Sequence, residues 1–180
     1  MRQLRPTDLK RLHREWRRRT PARLALVLDA VQGPHNVGGI LRTAAAYRAS
    51  HVWLTERGTG VDHAQVGRTA MGSERFFTLD VASDGPAAVA RARDEGFRVL
   101  AVELCEGAVP AHEADLHGDV CLVVGHEDHG VSAATLDACD GAVYLPLLGR
   151  IGSLNVATAT GIACAEWARQ QWTRSGEVSP

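Results

Sequence analysis

The sequence predicts an α/β fold, with a mostly parallel sheet flanked by helices. The run Leu24–Leu28 is apolar at every position, as expected of a parallel strand that is buried on both faces. Beyond it, short apolar runs alternate with longer segments of small residues, which is the strand–helix rhythm of α/β domains. The chain has 180 residues, of which 45% are hydrophobic, so it is long enough to build one domain around its own core.

An amphipathic helix is predicted near the start of the chain, over residues 7–19. Leu9, Leu12 and Trp16 recur at helical spacing and form one narrow apolar stripe, while arginines cover most of the remaining surface. A Thr-Pro step ends the helix, because the residue before a proline disfavours the helical conformation. So thin a stripe indicates a helix that lies on the surface of the body.

The remaining strands are predicted by apolar runs between turn residues, and the helices by segments of small residues between capping residues. We expect strands over residues 24–28, 51–54, 76–79, 98–102, 120–124 and 142–145. We expect helices over residues 36–48, 62–70, 86–95, 132–138 and 154–172. One domain then spans residues 24–175, preceded by a basic helical arm at 1–23 and followed by a loose tail at 176–180.

Charge is distributed unevenly along the chain. Residues 1–24 carry nine basic and two acidic side chains, whereas the whole chain has a net charge of −1, so the body is acidic. A basic arm on an acidic body favours a polyanionic partner, and a solvated helix face is the alternative explanation. If the partner is a nucleic acid, the candidate contacts are Arg11, Arg14, Arg18 and Arg19.

Composition excludes several classes of protein. No apolar run approaches the ~20 residues that cross a bilayer, and the first residues lead into charge rather than into a signal sequence. The four cysteines include no CxxC pair, so we expect buried free thiols in a reducing compartment rather than a disulfide frame or a zinc site. The sequence predicts a cytoplasmic protein without a metal.

Three segments that follow predicted strands carry unusual residues, and in a parallel sheet ligands bind beyond the carboxyl ends of the strands. The first segment holds Asn36, expected to cap a helix, then the pair Gly38-Gly39 and then Arg42. Each helical glycine costs about 1 kcal/mol relative to alanine, so the pair indicates close approach of another backbone or a ligand. A simple cap and a surface arginine are the alternative explanation.

The second segment runs from Gly125 to Gly130 and contains Glu127 between two histidines. A glycine-rich turn after a buried strand suits an adenosine or a phosphate. The run His-Glu-Asp-His lacks the helical spacing and the additional ligands of a zinc site.

The third segment contains Pro146 and Gly149, followed by Ser153 as the expected cap of a helix of small residues. Small residues permit close packing against another helix or a second subunit. Three other patterns are missing from the chain, namely GxGxxG, the P-loop and GxSxG. Their absence argues against a dinucleotide site, an NTPase and a serine hydrolase.

Together the three segments resemble the three motifs of the SpoU/TrmH family of SPOUT-class RNA ribose 2′-O-methyltransferases. The matching residues are Asn36, Gly38, Gly39 and Arg42 in the first motif; Gly125, Glu127 and Gly130 in the second; and Pro146, Gly149, Ser153, Leu154, Asn155 and Val156 in the third. The motifs occur in order, and the resemblance covers about residues 24–172.

The resemblance implies methyl transfer from S-adenosylmethionine to a ribose 2′-hydroxyl, a deep C-terminal trefoil knot, and a homodimer whose active site lies at the subunit interface. We expect the dimer contact at the small residues Gly38, Gly39, Ala157 and Gly161. The implied cofactor contacts are Val102, Gly125, Leu145 and Leu154. The implied catalytic or site-shaping residues are Arg42, Asn36, Ser153, Asn155 and Glu127.

Arg42 matches the arginine that the family uses to activate the ribose hydroxyl. It acts either as a base or as a charged group that stabilises the developing alkoxide, and arginine stays protonated in proteins.

The basic arm and residues 70–74 resemble the tRNA guanosine-18 branch of the family, whereas Gly152, Asp128 and His129 depart from it. We therefore expect tRNA as the substrate, with ribosomal RNA as the alternative. A non-catalytic RNA-binding protein of the same fold and an unrelated α/β enzyme with a basic helix also stay open.

Overall fold

A computed structural model describes residues 2–173, where the chain forms one seven-stranded sheet with helices packed on both faces. The strands are Leu24–Leu28 (β1), His51–Thr55 (β2), Thr78–Ala82 (β3), Arg98–Val102 (β4), Val109–Pro110 (β5), Val120–Val124 (β6) and Gly141–Tyr144 (β7). The helices are Pro6–Arg18 (α1), Pro34–Ala46 (α2), Ala64–Ala70 (α3), Gly85–Asp94 (α4), Ala133–Ala138 (α5) and Val156–Thr173 (α6). None of these described helices is long and apolar enough to cross a membrane. The tail expected at 176–180 lies outside the described residues.

The strand pairings of the sheet are parallel, in the order β3-β2-β1-β6-β4-β7-β5. Alternate residues of β1 point to opposite faces, so Leu26 packs in the core beneath α2 and α6, and Val27 packs in the core beneath α4. The predicted fold class is therefore confirmed, and the trefoil knot stays a prediction.

The differences from the predicted elements have local causes. The strand expected at 76–79 runs over Thr78–Ala82 instead, because Ser73–Phe76 forms a 3-10 turn in which the Ser73 hydroxyl donates to the Ala70 carbonyl. β5 escapes the sequence prediction, since a strand of two residues has no detectable period.

Two of the four cysteines are less buried than expected. Cys121 and Cys164 lie in the core, and burial raises the pKa of the Cys164 thiol to about 12. Cys105 and Cys139 are half-buried, because they lie in the loops that follow β4 and α5. All four are free thiols.

The arm helix α1 is attached to the body at its C-terminal end. The ring of Trp16 packs on Trp172 of α6 with 4.5 Å between the ring centroids, and the indole nitrogen of Trp172 donates to the Thr20 hydroxyl at 2.8 Å. Leu9 and Leu12, the other expected anchors, remain 44% and 36% exposed. One aromatic contact therefore fixes a helix that has no buried residue.

The adjacent glycines of α2 pack inside the chain. A Cβ atom on Gly38 would lie 2.6 Å from the Thr69 Cβ and 2.9 Å from the Val66 carbonyl oxygen, both in α3. A Cβ on Gly39 would lie 3.3 Å from the Cβ of Ala157 in α6. Packing within the chain thus explains why glycine stands at position 38, and the expectation that these small residues form a dimer contact stays a prediction.

Replacement of Gly38 by alanine is expected to lower the free energy of unfolding by about 1–3 kcal/mol, because the added methyl group overpacks the contact between α2 and α3. Gly67→Ala is the matched control in α3, where an added Cβ meets no atom within 4 Å. Alanine there favours the helix by up to about 1 kcal/mol. Urea titration measures both variants, and equal stabilities would contradict the close packing at Gly38.

Candidate functional site

A cavity of about 770 Å³ opens at the carboxyl ends of β4, β6 and β7. Its volume falls within the roughly 300–1,000 Å³ of typical small-molecule sites. Its walls come from the loops that follow the three strands, at residues 102–104, 124–130 and 144–159. The predicted cofactor contacts line these walls together with two of the predicted site-shaping residues: Val102, Gly125, Leu145, Leu154, Glu127 and Ser153. That these residues bind a cofactor stays a prediction.

Two glycines close the loop after β6 into a tight turn. The backbones of His126 and Gly130 exchange hydrogen bonds of 3.0 and 2.8 Å. A Cβ on Gly125 would lie 2.1 Å from the carbonyl carbon of Gly130, and Gly130 itself has φ +67°, so the turn requires glycine at both positions. Glu127 projects from this turn toward the loop after β1.

Three donors from the first segment hold the carboxylate of Glu127. Its Oε1 accepts hydrogen bonds from the Gly33 amide and from Nδ2 of Asn36, each at 2.7 Å, and its Oε2 accepts one from the Gln32 amide at 3.0 Å. Burial alone would raise the pKa of the Glu127 carboxyl, but these hydrogen bonds outweigh it and lower the pKa below the ordinary value of 4.5. Glu127 is therefore charged at neutral pH.

Asn36 links Glu127 to the start of α6. Its Oδ1 accepts a hydrogen bond from Nδ2 of Asn155 at 2.8 Å. The Oδ1 of Asn155 accepts in turn from the amides of Ala157 and Thr158 at 3.0 and 3.2 Å. Because a carboxylate only accepts and a helix amide only donates, the orientation of both side-chain amides is determined. We call this arrangement the Glu127–Asn36–Asn155 chain.

The two expected helix caps are wrong by two or three residues. Gly33 rather than Asn36 precedes α2, because Pro34 occupies its first turn. Asn155 rather than Ser153 bonds the first free amides of α6. The side chain of Asn36 is consequently available for Glu127.

Arg42 lies on the same helix as Asn36 but outside the cavity wall. Its guanidinium is exposed, and its Nη1 donates to the sulfur of Met71 at 3.0 Å. Among residues 2–173, no carboxylate oxygen lies within 4.0 Å of this guanidinium. A single copy of the protein therefore brings Asn36, Glu127 and Asn155 together, but its Arg42 lies apart from the cavity.

Glu103 is a site residue that the motifs do not reveal. It lines the cavity, its Oε1 accepts from the Leu104 amide, and its Oε2 accepts from the Val131 amide, each at 3.0 Å. These bonds brace the turn after β6 against the end of β4. The rule that ligands bind at strand ends would have singled it out, because Glu103 directly follows β4.

The two histidines of the second segment lie against each other, with 4.7 Å between the ring centroids of His126 and His129. Nδ1 of His126 accepts a hydrogen bond from the Asp128 amide, while Glu127 is turned toward α2. Over the described range 2–173, no three His, Cys, Asp or Glu side chains are arranged to hold a metal ion.

The arginines predicted to contact RNA lie along the arm. Arg11, Arg14 and Arg18 are exposed, whereas Arg19 is half-buried with its guanidinium 4.5 Å above the ring of Trp16. The first three are therefore presented to solvent, and the fourth packs on the ring of Trp16, through which the arm contacts the body.

The model of the SpoU rRNA methylase family matches residues 23–165. The chain is 33% identical over 148 residues to the 23S rRNA (guanosine-2′-O-)-methyltransferase RlmB of Xanthomonas axonopodis pv. citri, a match that covers 82% of this chain and 59% of that protein. The chain thus spans about three fifths of the length of this curated relative.

Two solved structures share the fold. One is the SpoU methyltransferase AviRb of Streptomyces viridochromogenes in complex with the cofactor AdoMet, with a TM-score of 0.76, 26% identity, and coverage of 84% of this chain and 62% of that one. The other is the TrmH/SpoU tRNA modifying enzyme of A. aeolicus, with a TM-score of 0.75, 26% identity, and coverage of 93% and 86%.

Glu127→Gln is expected to destabilise the protein by about 1–3 kcal/mol near neutral pH, because the new amide nitrogen is itself a donor and leaves one of the three donors around this side chain unpaired. The pKa of Glu127 is lower in the folded state, so the stabilisation by its charged form is present above the ordinary value of 4.5 and is lost as pH falls through the lowered pKa. The difference from the wild type should therefore narrow in acid.

Urea titrations near neutral pH and below the ordinary glutamate pKa measure this difference. The exposed Glu106→Gln is the control and should match the wild type at both pH values. A difference that stays constant or widens in acid would refute the charged network.

Proposed function

The chain belongs to the SpoU rRNA methylase family, and from this premise we propose that it transfers a methyl group from S-adenosylmethionine to a ribose 2′-hydroxyl of RNA. One observation carries the proposal. The second and third segments bound a cavity of cofactor size, and the Glu127–Asn36–Asn155 chain ties both of them to the first segment. The AdoMet complex of AviRb, which has the same fold, supports the choice of cofactor.

The residues of the cavity fit S-adenosylmethionine. Leu145 and Leu154 offer an apolar wall for the adenine ring, and Gly149 and Gly152 leave open space, since an added Cβ would meet no atom within 4 Å. Glu103 keeps lone pairs that suit ribose hydroxyls or an ammonium group. When bound, this cofactor supplies a methyl group activated by a sulfonium sulfur.

A homodimer completes the site in this proposal. Arg42 does not line the cavity of its own chain, while apolar side chains are exposed on the loop that bounds the cavity and on α6: Leu148 by 101%, Ile151 by 65% and Ile162 by 45%. Exposed apolar surface of this kind marks an interaction surface where it is contiguous. A second copy of the chain covers it, and the partner subunit's Arg42 faces the ribose.

Arg42 acts on the oxygen that attacks the methyl group. Because its guanidinium stays protonated, it stabilises the negative charge that develops on the 2′-oxygen, as oxyanion-hole donors do. Glu127, Asn36 and Asn155 hold the turn after β6 against the first turn of α2 and the start of α6. The remaining acceleration comes from holding the oxygen and the methyl group in line at reacting distance.

We propose tRNA as the substrate. The exposed arginines of the arm support an RNA partner, and the tRNA modifying enzyme of A. aeolicus is matched over 86% of its length. Ribosomal RNA is the alternative, since the relative from Xanthomonas is named for 23S rRNA. Because either RNA would be met in the cytoplasm, we propose that the protein acts there.

Arg42→Ala is expected to lower kcat by about 10²–10³-fold, the loss seen when one oxyanion donor is removed. Arg42→Lys should rescue little, because a point charge replaces a planar fork of donors. Transfer of labelled methyl groups to bulk tRNA measures kcat. Calorimetry with and without EDTA should show unchanged affinity for S-adenosylmethionine, and a lysine variant with wild-type kcat would rule out this role.

The triple variant Arg11→Gln, Arg14→Gln, Arg18→Gln should weaken RNA binding and flatten the dependence of log K on log salt. Each lost phosphate contact reduces the slope by about 0.7–0.9, so the three together reduce it by about 2–3. Arg91→Gln, in α4 on the body, is the control and should leave the slope unchanged. An unchanged slope in the triple variant would show that these arginines are solvated and make no contact with RNA phosphates.

A further inference from the structure

Arg42 has a thioether as its partner. Its Nη1 and the sulfur of Met71 lie 3.0 Å apart. A thioether sulfur is a weak, uncharged acceptor. It therefore orients the guanidinium without neutralising the positive charge, which a carboxylate in the same place would do.

The backbone of Met71 adopts a conformation that methionine rarely takes. Its φ is +55°, in the left-handed region, and Gly72 follows with φ +74°. The Met71 amide donates to the Gly67 carbonyl at 3.0 Å, so the turn that ends α3 is fixed. Strained residues of this kind persist where the surrounding structure holds them, and they concentrate at functional sites.

Packing between α2 and α3 sets the distance from Met71 to Arg42. α3 lies against Gly38, which precedes Arg42 by about one helical turn, and Met71 directly follows α3. The side chain of Met71 is nevertheless 67% exposed. Burial of apolar surface therefore does not explain its placement against Arg42.

We propose that Met71 is a positioning residue for Arg42, and that oxidation of its sulfur switches methyl transfer off. The inference rests on the proposed function, because it takes Arg42 to be the group that acts on the ribose oxygen. It identifies a modification site for a peroxide beside Arg42, at a side chain that is exposed on the single chain.

The oxidation is a two-electron step. The sulfur of Met71 forms a bond to one peroxide oxygen, the O–O bond breaks, and the other oxygen leaves as water when the oxidant is hydrogen peroxide. An oxygen that binds at the sulfur lone pair facing Arg42 has no room within the 3.0 Å between nitrogen and sulfur, since an N–H···O hydrogen bond alone needs about 2.9 Å. The guanidinium then moves, and a shift of about 1 Å at a catalytic group costs roughly 10²-fold in rate.

Kinetics with two substitutions of Met71 test the positioning role. Met71→Leu keeps the apolar volume and removes the acceptor, and we expect kcat to fall about tenfold, the worth of one charge-assisted hydrogen bond. The KM for RNA and the affinity for S-adenosylmethionine should not change. Met71→Gly relieves the positive φ, so its stability should equal or exceed that of the wild type while kcat falls similarly.

Val81→Thr, another exposed apolar position, is the control and should keep wild-type kcat. Hydrogen peroxide should lower the kcat of the wild type by roughly 10²-fold. Methionine sulfoxide reductase should restore it, and a thiol reductant alone should not. Oxidation of the Met71→Leu variant should cause no fall in kcat that the reductase can reverse. Full kcat in Met71→Leu and in the oxidised wild type would overturn the proposal.

A second readout does not depend on activity. The chain has two methionines, Met1 and Met71, so the ¹³C-methyl resonance of Met71 is identified by its loss in Met71→Leu. Arg42→Ala should shift this resonance, and Arg91→Ala should not. If the wild type transfers no methyl group, the proposed function fails, but the spectrum still tests whether Arg42 contacts Met71. An unmoved Met71 resonance in Arg42→Ala would overturn the inference.

Discussion

The site depends on one interaction, the hydrogen bonding of the Glu127 carboxylate to the first turn of α2. Glu127, Asn36 and Asn155 come from three segments that are far apart in the sequence, and hydrogen bonds between their side chains join them. A charged carboxylate is acceptor-only, so it directs Nδ2 of Asn36 toward itself and leaves Oδ1 for Asn155. The charge of Glu127 thus sets which atom donates and which accepts in every hydrogen bond of the Glu127–Asn36–Asn155 chain, up to the amides of α6.

Several glycines of the first two segments are explained by this arrangement. A Cβ on Gly33 would lie 2.7 Å from both Glu127 Oε1 and Asn36 Nδ2, so the loop comes this close only without a side chain there. Gly125 and Gly130 shape the turn that presents Glu127, and Glu103 braces that turn from β4. The turn after β6 therefore both lines the cavity and carries Glu127. A substitution that displaces this turn is expected to change the shape of the cavity and to break the Glu127–Asn36–Asn155 chain.

The sequence predicts the sheet and the place of the site well, because both depend on strong local patterns. β1 and β6 are continuous apolar runs, and the strand-end rule directs attention to the loops after them. The caps are harder to predict, because Asn36 and Asn155 look like ordinary capping residues until their distant partner is known. Met71 lies in the stretch 70–74 that resembles the tRNA guanosine-18 branch, but nothing in that stretch points to Arg42. Its contact with Arg42 arises from a left-handed turn and from the packing of two helices, which are properties of the folded chain.

The most direct measurement is a map of ribose 2′-O-methylation in tRNA and ribosomal RNA from cells that lack this protein, complemented with the wild type or with Arg42→Ala. We expect at least one ribose position to lose its methyl group, to regain it with the wild type, and to stay unmethylated with Arg42→Ala. Maps in which no ribose position depends on the protein, or in which Arg42→Ala restores the methyl group, would contradict the assignment of this site to RNA methyl transfer.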